Sequence, residues 1–151
     1  MPAFEIRQVP RQDTAVVHMT IPPDAIAQAM GRALPAAFEA VGRSGGQPAG
    51  PPFAKYFAFG ESIEFEAGVP VTTPFAGDGE VRPGEIGGCE AAVAMHIGPY
   101  DTLEETYAEL ESWVTAQGRS VSGPMWELYL TDPDEEPDPS TWRTQIFCPV
   151  A

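Results

Sequence analysis

Apolar residues recur along this chain with two different periods, and the switches between them outline the elements. Glu90–His96 is a short apolar run bounded by Gly87-Gly88 and Gly98-Pro99, which predicts a strand. Leu103, Tyr107, Leu110 and Val114 then fall at helical spacing on one face. Asp101 with Glu104 three residues on predicts a capping-box-like start, and Gly118 sits where a left-handed helix end belongs. Met125–Leu130 and Trp142–Cys148 read as two strands, separated by the polar, proline-laden loop Asp132–Pro139. The first half is similar. A strand around Ala15–Met19 precedes a helical stripe of Ile26, Met30, Leu34, Phe38 and Val41. Ile63, Phe65, Ala67 and Val69 then alternate with Glu64, Glu66 and Gly68. Pro35 predicts a kinked or split helix, because proline lacks the N–H and its ring clashes with the preceding turn. Arg43–Pro52 reads as a Gly/Pro-rich connection and Gly77–Gly84 as a linker.

The halves resemble one another. Ala15-Val16-Val17-His18-Met19 matches Ala91-Ala92-Val93-Ala94-Met95. Gly50-Pro51-Pro52-Phe53-Ala54-Lys55-Tyr56 shares Gly-Pro-x-aromatic-x-x-Tyr with Gly123-Pro124-Met125-Trp126-Glu127-Leu128-Tyr129. Pro70-Val71 returns as Pro149-Val150. Three matches in the same order imply one domain over residues 1–151 built from pseudo-repeats, about 4–72 and 80–151. Each repeat reads strand, helix, strand, strand, an α+β plan. Layer logic puts both helices on one sheet face and leaves the other with a mixed lining, either a ligand surface or an ordinary solvated face. Alternation sends Trp126, Leu128 and Leu130 toward the helices. It sends Glu127 and Tyr129, with their counterparts Ala54 and Tyr56, to the opposite face. His18, Glu64, Glu66, Ala92, Ala94, His96, Arg143 and Gln145 are expected beside them.

Composition narrows the chemistry. Eight basic against 22 acidic residues leave a formal charge of −14, which disfavours direct binding to a phosphate backbone and favours cationic ligands or basic partners. Two cysteines, Cys89 and Cys148, make no disulfide framework and read as reduced thiols. His18 and His96 are the only histidines, and GxGxxG and P-loop patterns are missing, so no metal and no cofactor is expected. No apolar run approaches the ~18–20 residues of a membrane span. Met1–Pro10 has no signal-peptide pattern, so a cytoplasmic protein is expected.

His96-Ile97-Gly98-Pro99-Tyr100, Gly123-Pro124-Met125-Trp126-Glu127-Leu128-Tyr129-Leu130-Thr131-Asp132-Pro133 and Thr144-Gln145-Ile146-Phe147-Cys148-Pro149-Val150 together resemble the GyrI-like small-molecule-binding domain, also called the AraC-type effector-binding domain. The likeness runs from about Glu90 to Val150, and the repeated first half extends it over most of the chain. Its specificity lies in combining His-x-Gly-Pro-Tyr with Glu-x-Tyr-x-x-Asp-Pro. The resemblance implies duplicated β-α-β-β halves in one curved antiparallel sheet, with two helices on one face and a ligand groove on the other. It implies the sensor half of multidrug-responsive transcription regulators, a stand-alone protein, a gyrase-inhibitory protein, or a hydrolase of cyclopropane-containing DNA-alkylating compounds. The family's central acidic residue maps onto Glu127. It is a counter-charge in the sensors and a catalytic carboxylate in the hydrolases. Nothing before Phe4 has room for a helix-turn-helix, so a stand-alone protein is expected.

The expected ligand-binding set is Glu127, Tyr129, Tyr56, Met125, Ala54, His96, Tyr100 and Trp142. Aromatic rings beside a carboxylate suit a hydrophobic, cationic small molecule. In the alternative reading Glu127 activates water toward a strained electrophilic ring and a tyrosine donates to the leaving oxygen. In that setting the carboxylate would be desolvated, with a raised pKa. A third reading makes the acidic surface a contact for a basic protein or a separate regulator.

Overall fold

The computed structural model describes residues 4–132 and 135–151. Pro133 and Asp134 of the expected acidic loop therefore lie outside the described residues. The described chain holds eight strands and two helices, the expected α+β class. In order these are β1 (Phe4–Val9), β2 (Gln12–Ile21), α1 (Ile26–Arg43), β3 (Phe53–Ala58), β4 (Ile63–Pro70), β5 (Val81–Ile86), β6 (Cys89–Ile97), α2 (Leu103–Ala116), β7 (Met125–Tyr129) and β8 (Arg143–Pro149). The chain divides into two compact units. One is Arg11–Gly87, with antiparallel strands in the order β3-β4-β2-β5 and helix α1. The other joins the N-terminal strand to Gly88–Ala151, with strands in the order β1-β6-β8-β7 and helix α2.

Both units follow one plan: a strand-helix-strand-strand run with an extra strand beside its first member. The extra strands, β5 and β1, are additions to the sequence reading. The supposed linker Gly77–Gly84 runs into β5, which pairs with β2 alone in its unit. A strand bonded on one side tolerates Pro83 and Gly84, because its outward N–H groups have no ladder to serve. In β1 the alternating Phe4 and Ile6 pack against the core of the α2 unit.

Helix α1 runs unbroken through Pro35. Pro35 and Gly31, whose carbonyl loses its partner, are both exposed, so water can replace the missing bond. The buried face of α1 is Ala33, Ala37, Ala40 and Val41, while Phe38 is exposed. The expected stripe is thus rotated, because small residues let the helix approach its sheet closely. Helix α2 buries Leu110 and Val114 as expected, and Thr106 with them. Its first turn has no side-chain cap from Asp101. A tight turn, Tyr100–Thr102, leads into it, with the Thr102 hydroxyl donating to the Pro99 carbonyl at 2.9 Å. Gly118 ends it at φ +74°, and the Arg119 N–H reaches the Val114 carbonyl at 3.1 Å, as a left-handed end requires. No helix among the described residues is long and apolar enough to cross a membrane.

Gly68 marks the tightest approach between strands. A Cβ there would lie 1.9 Å from the Ala15 carbonyl oxygen and 2.8 Å from Val16 Cα. Both are backbone atoms of β2, so no side chain can give way. Gly68→Ala is expected to destabilise the protein by at least about 3 kcal/mol, read from the urea midpoint. Cys148 is fully buried, and desolvation, followed by the charge of Glu111, pushes its thiol up to about 11. Cys89 is only partly buried. At neutral pH a thiol reagent should label Cys89 in the native protein and Cys148 only after unfolding. Equal native labelling of both would contradict the packing of β8.

Candidate functional site

The chemistry of the α2 unit gathers where β7 passes beneath α2. Three β7 side chains, Met125, Glu127 and Tyr129, point to that side. Met125 packs against the core cluster that contains Leu110 and Val114 of α2. Glu127 Oε2 accepts a hydrogen bond from the Tyr107 hydroxyl of α2 at 2.5 Å. Its Oε1 accepts from the Tyr129 hydroxyl at 2.7 Å. The glutamate is only 4 % exposed. Two phenol donors, one on each oxygen, help to hold a carboxylate at that depth, since hydrogen bonds to a charged acceptor contribute about 1.5–3 kcal/mol each.

Tyr100 and Trp142 lie further out. Tyr100 is 37 % exposed, with its ring edge-on to Tyr129 at 5.8 Å and tilted against Trp142 at 4.9 Å. The Trp142 indole N–H donates to the Glu136 carbonyl at 2.6 Å, tying part of the acidic loop to the ring cluster. Asp138 caps the turn before Trp142 by accepting from the Ser140 N–H and hydroxyl, and these bonds lower its pKa. The Tyr100 phenol is raised, first by burial and then by the negative charges of Glu127 and Asp132. Burial thus grades from the carboxylate at the floor, through half-buried Tyr129 and Tyr107, to a half-exposed aromatic edge.

His96 is in this unit but is not open to a ligand. It is 5 % exposed, with Nε2 donating to the Pro99 carbonyl at 3.0 Å and Nδ1 2.6 Å from the Thr106 hydroxyl. A carbonyl only accepts, so Nε2 carries a proton. His96 therefore anchors the turn that carries Tyr100 to the second turn of α2.

Face assignments on three strands, β7, β6 and β3, are corrected. Trp126 and Leu128 point away from α2, and the Trp126 ring stacks on Phe147 at 4.9 Å and 3°. Glu127, Tyr129 and Met125 occupy the helix side instead. Both alternate sets of β7 contain large apolar groups, so alternation separates the sets without saying which one meets the helix. Ala92, Ala94 and His96 likewise face α2, as the core cluster and the Thr106 bond show. In the other unit the helix side of β2 is Ala15, Val17 and Met19, with Met19 Sδ 3.5 Å from Arg32 of α1. Ala15 thus corresponds to Ala92, one residue beyond the sequence match to Ala91. A one-residue slip flips every side chain of a strand.

Tyr56 and Ala54 belong to the Arg11–Gly87 unit. Tyr56 stacks on Phe65 at 5.8 Å and on Phe59 at 5.2 Å, on the α1 side, and Ala54 is fully buried beside it across from Ala67. The structure separates them from His18, Glu64 and Glu66, which face away from α1. There His18 lies between Glu64 at 2.8 Å and Glu66 at 3.1 Å, against the Phe57 ring. Tyr107 entered the sequence reading only as part of a helical stripe. Its signal was chemical: a phenol on a core-facing stripe needs a partner for its hydroxyl.

The likeness to solved structures covers the whole chain. The EcmrR C-terminal domain superposes with a TM-score of 0.87 at 20% identity, covering 100% of this chain and 98% of that one. In the EcmrR–DNA complex the TM-score is 0.86, and this chain spans 57% of the EcmrR chain. A hydrolase from Listeria innocua gives 0.66 at 16% identity, covering 98% of this chain and 91% of the other. SAV2435 bound to tetraphenylphosphonium gives 0.66 at 13% identity, covering 99% and 94%. At such identities the likeness establishes the fold. No curated protein matches the chain significantly. The family model for the GyrI-like small-molecule-binding domain matches residues 2–151, and the chain belongs to that family.

Proposed function

We propose that this domain binds hydrophobic, cationic small molecules, with Glu127 as the counter-charge and Tyr129, Tyr107, Tyr100 and Trp142 as its aromatic surroundings. The observation that carries the reading is the buried Glu127 carboxylate, each of whose oxygens accepts from a phenol. Phenols can rotate away from a carboxylate when a cation approaches, and their ring faces then add cation–π attraction. The net charge of −14 adds long-range attraction for a cation and disfavours nucleic acid as a direct ligand. SAV2435, a neighbour in fold, has been solved with tetraphenylphosphonium, a cation of this class.

Wild type should bind tetraphenylphosphonium in calorimetry. Glu127→Gln should weaken it by about 2–5 kcal/mol, the cost of removing one partner from a desolvated charge pair. Equal binding by wild type and variant would reject Glu127 as the counter-charge. Mass spectrometry separates binding from hydrolysis: a binding domain returns the compound unchanged. Conversion of a cyclopropane-containing electrophile by wild type, lost in Glu127→Gln, would instead assign a catalytic carboxylate.

The Tyr100 shift supplies a ligand-free check. A negative charge nearby disfavours the phenolate, so removing it should let a phenol ionise earlier. In an alkaline absorbance titration Glu127→Gln should show tyrosine ionisation at lower pH than wild type. An unchanged titration would place Glu127 out of electrostatic reach of Tyr100.

A further inference from the structure

Next to Glu127 lies a polar group with no hydrogen bond of its own. Thr144 Oγ1 of β8 is buried and, among the described residues, has no hydrogen-bond partner. Thr144 stands directly across from His96 on β6 and from Tyr129 on β7, on the side that faces α2. Neither neighbour bonds it. The His96 nitrogens serve Thr106 and the Pro99 carbonyl, and the Tyr129 hydroxyl donates to Glu127. A buried hydroxyl without a partner costs stability, so its retention needs a reason.

The Arg11–Gly87 unit provides an internal comparison. The matching position in its strand order is Phe65, across from Met19 and Tyr56. Phe65 is fully buried and stacked on Tyr56. The position matching Glu127 is Ala54, which pairs with Ala67 as Glu127 pairs with Ile146. The strand plan therefore closes with Met, Phe and Ala at these three places. In the α2 unit all three are polar: His96, Thr144 and Glu127. His96 is used in anchoring the turn before α2. That leaves a carboxylate and a neutral hydroxyl on adjacent strands, two residues apart in register. Such diagonal neighbours have Cα atoms about 7–8 Å apart, with Cβ atoms somewhat closer.

We infer that Thr144 is a specificity-determining residue of the Glu127 site, and that the site's preferred ligand is a lipophilic cation carrying a hydrogen-bonding oxygen. This rests on the reading of Glu127 as counter-charge. The cationic centre meets Glu127 while a hydroxyl, carbonyl or amide of the same molecule bonds Thr144 Oγ1. Tyr129 couples the two contacts: it pairs with Thr144 in register and donates to Glu127 Oε1, so a ring movement that admitted a ligand to Thr144 would also withdraw that hydroxyl. A cation clad only in hydrocarbon satisfies the carboxylate and leaves the threonine unbonded.

The test compares tetraphenylphosphonium with its para-hydroxy and para-acetyl derivatives, by calorimetry, on wild type, Thr144→Val and Glu127→Gln. Valine keeps the shape and removes the hydroxyl. At least one oxygenated cation should bind wild type about tenfold more tightly than the parent and lose that advantage in Thr144→Val. Thr144→Val should melt at the same temperature as wild type or higher. Two results overturn the inference alone: oxygenated cations that gain nothing while the parent binds through Glu127, or a gain that survives Thr144→Val. A lower melting temperature for Thr144→Val also overturns it, since the hydroxyl would then serve the fold. If no cation binds, the counter-charge reading falls and this inference falls with it.

Discussion

A carboxylate at 4 % exposure between a helix and its sheet is the constraint around which the α2 unit is arranged. Leaving an ionised oxygen without a donor at that depth would cost several kcal/mol. Tyr107 meets one oxygen from the helix and Tyr129 meets the other from the same strand. That requirement fixes which side of β7 faces α2 and which residue of α2 lies above it. It also places the Tyr129 ring where Tyr100 can stand against it, with Trp142 beyond. His96 completes the arrangement from below, since its two ring nitrogens hold the turn before α2 to the helix itself.

The two units share a strand order and differ in what they bury. Around α1 the buried side chains are largely small or hydrocarbon, down to the alanines that let the helix lie close to its sheet. Around α2 the corresponding strands carry a glutamate, a histidine and a threonine. Polar groups at that depth cost stability unless bonded, and the fold is already compatible with apolar residues at the matching positions. Among the buried polar side chains, Thr14 lies in the Arg11–Gly87 unit and His96, Thr106, Glu127 and Thr144 lie in the α2 unit.

Much of this was legible in the chain. The α2 stripe, its glycine-terminated end and the strands β7 and β8 follow from spacing, and the family follows from the resemblance carried by a motif pair. The Gly-Pro-x-aromatic-x-x-Tyr match is correct in register, since Ala54 and Glu127, then Tyr56 and Tyr129, hold matching places in their sheets. The match of Ala15–Met19 to Ala91–Met95 is wrong by one residue. Runs of Ala and Val look alike when shifted, and nothing local penalises the slip. The strands β1 and β5 were missed because short segments containing Pro, Gly or charges carry little periodic signal, although an outer position tolerates them.

By itself the sequence determined the α+β class, the two helices, several of the strands and the residue types available for chemistry, because these depend on local spacing. Only the tertiary structure decided which alternate set of β7 and β6 meets the helix. Alternation divides a strand into two sets by geometry, but the choice between them is made by packing. Trp126 finds a stacking partner in Phe147 on one side, while Glu127 finds its donors in Tyr107 and Tyr129 on the other. The partners of Trp126 and of Glu127's second oxygen come from other elements, brought close by register. No reading of β7 alone contains them.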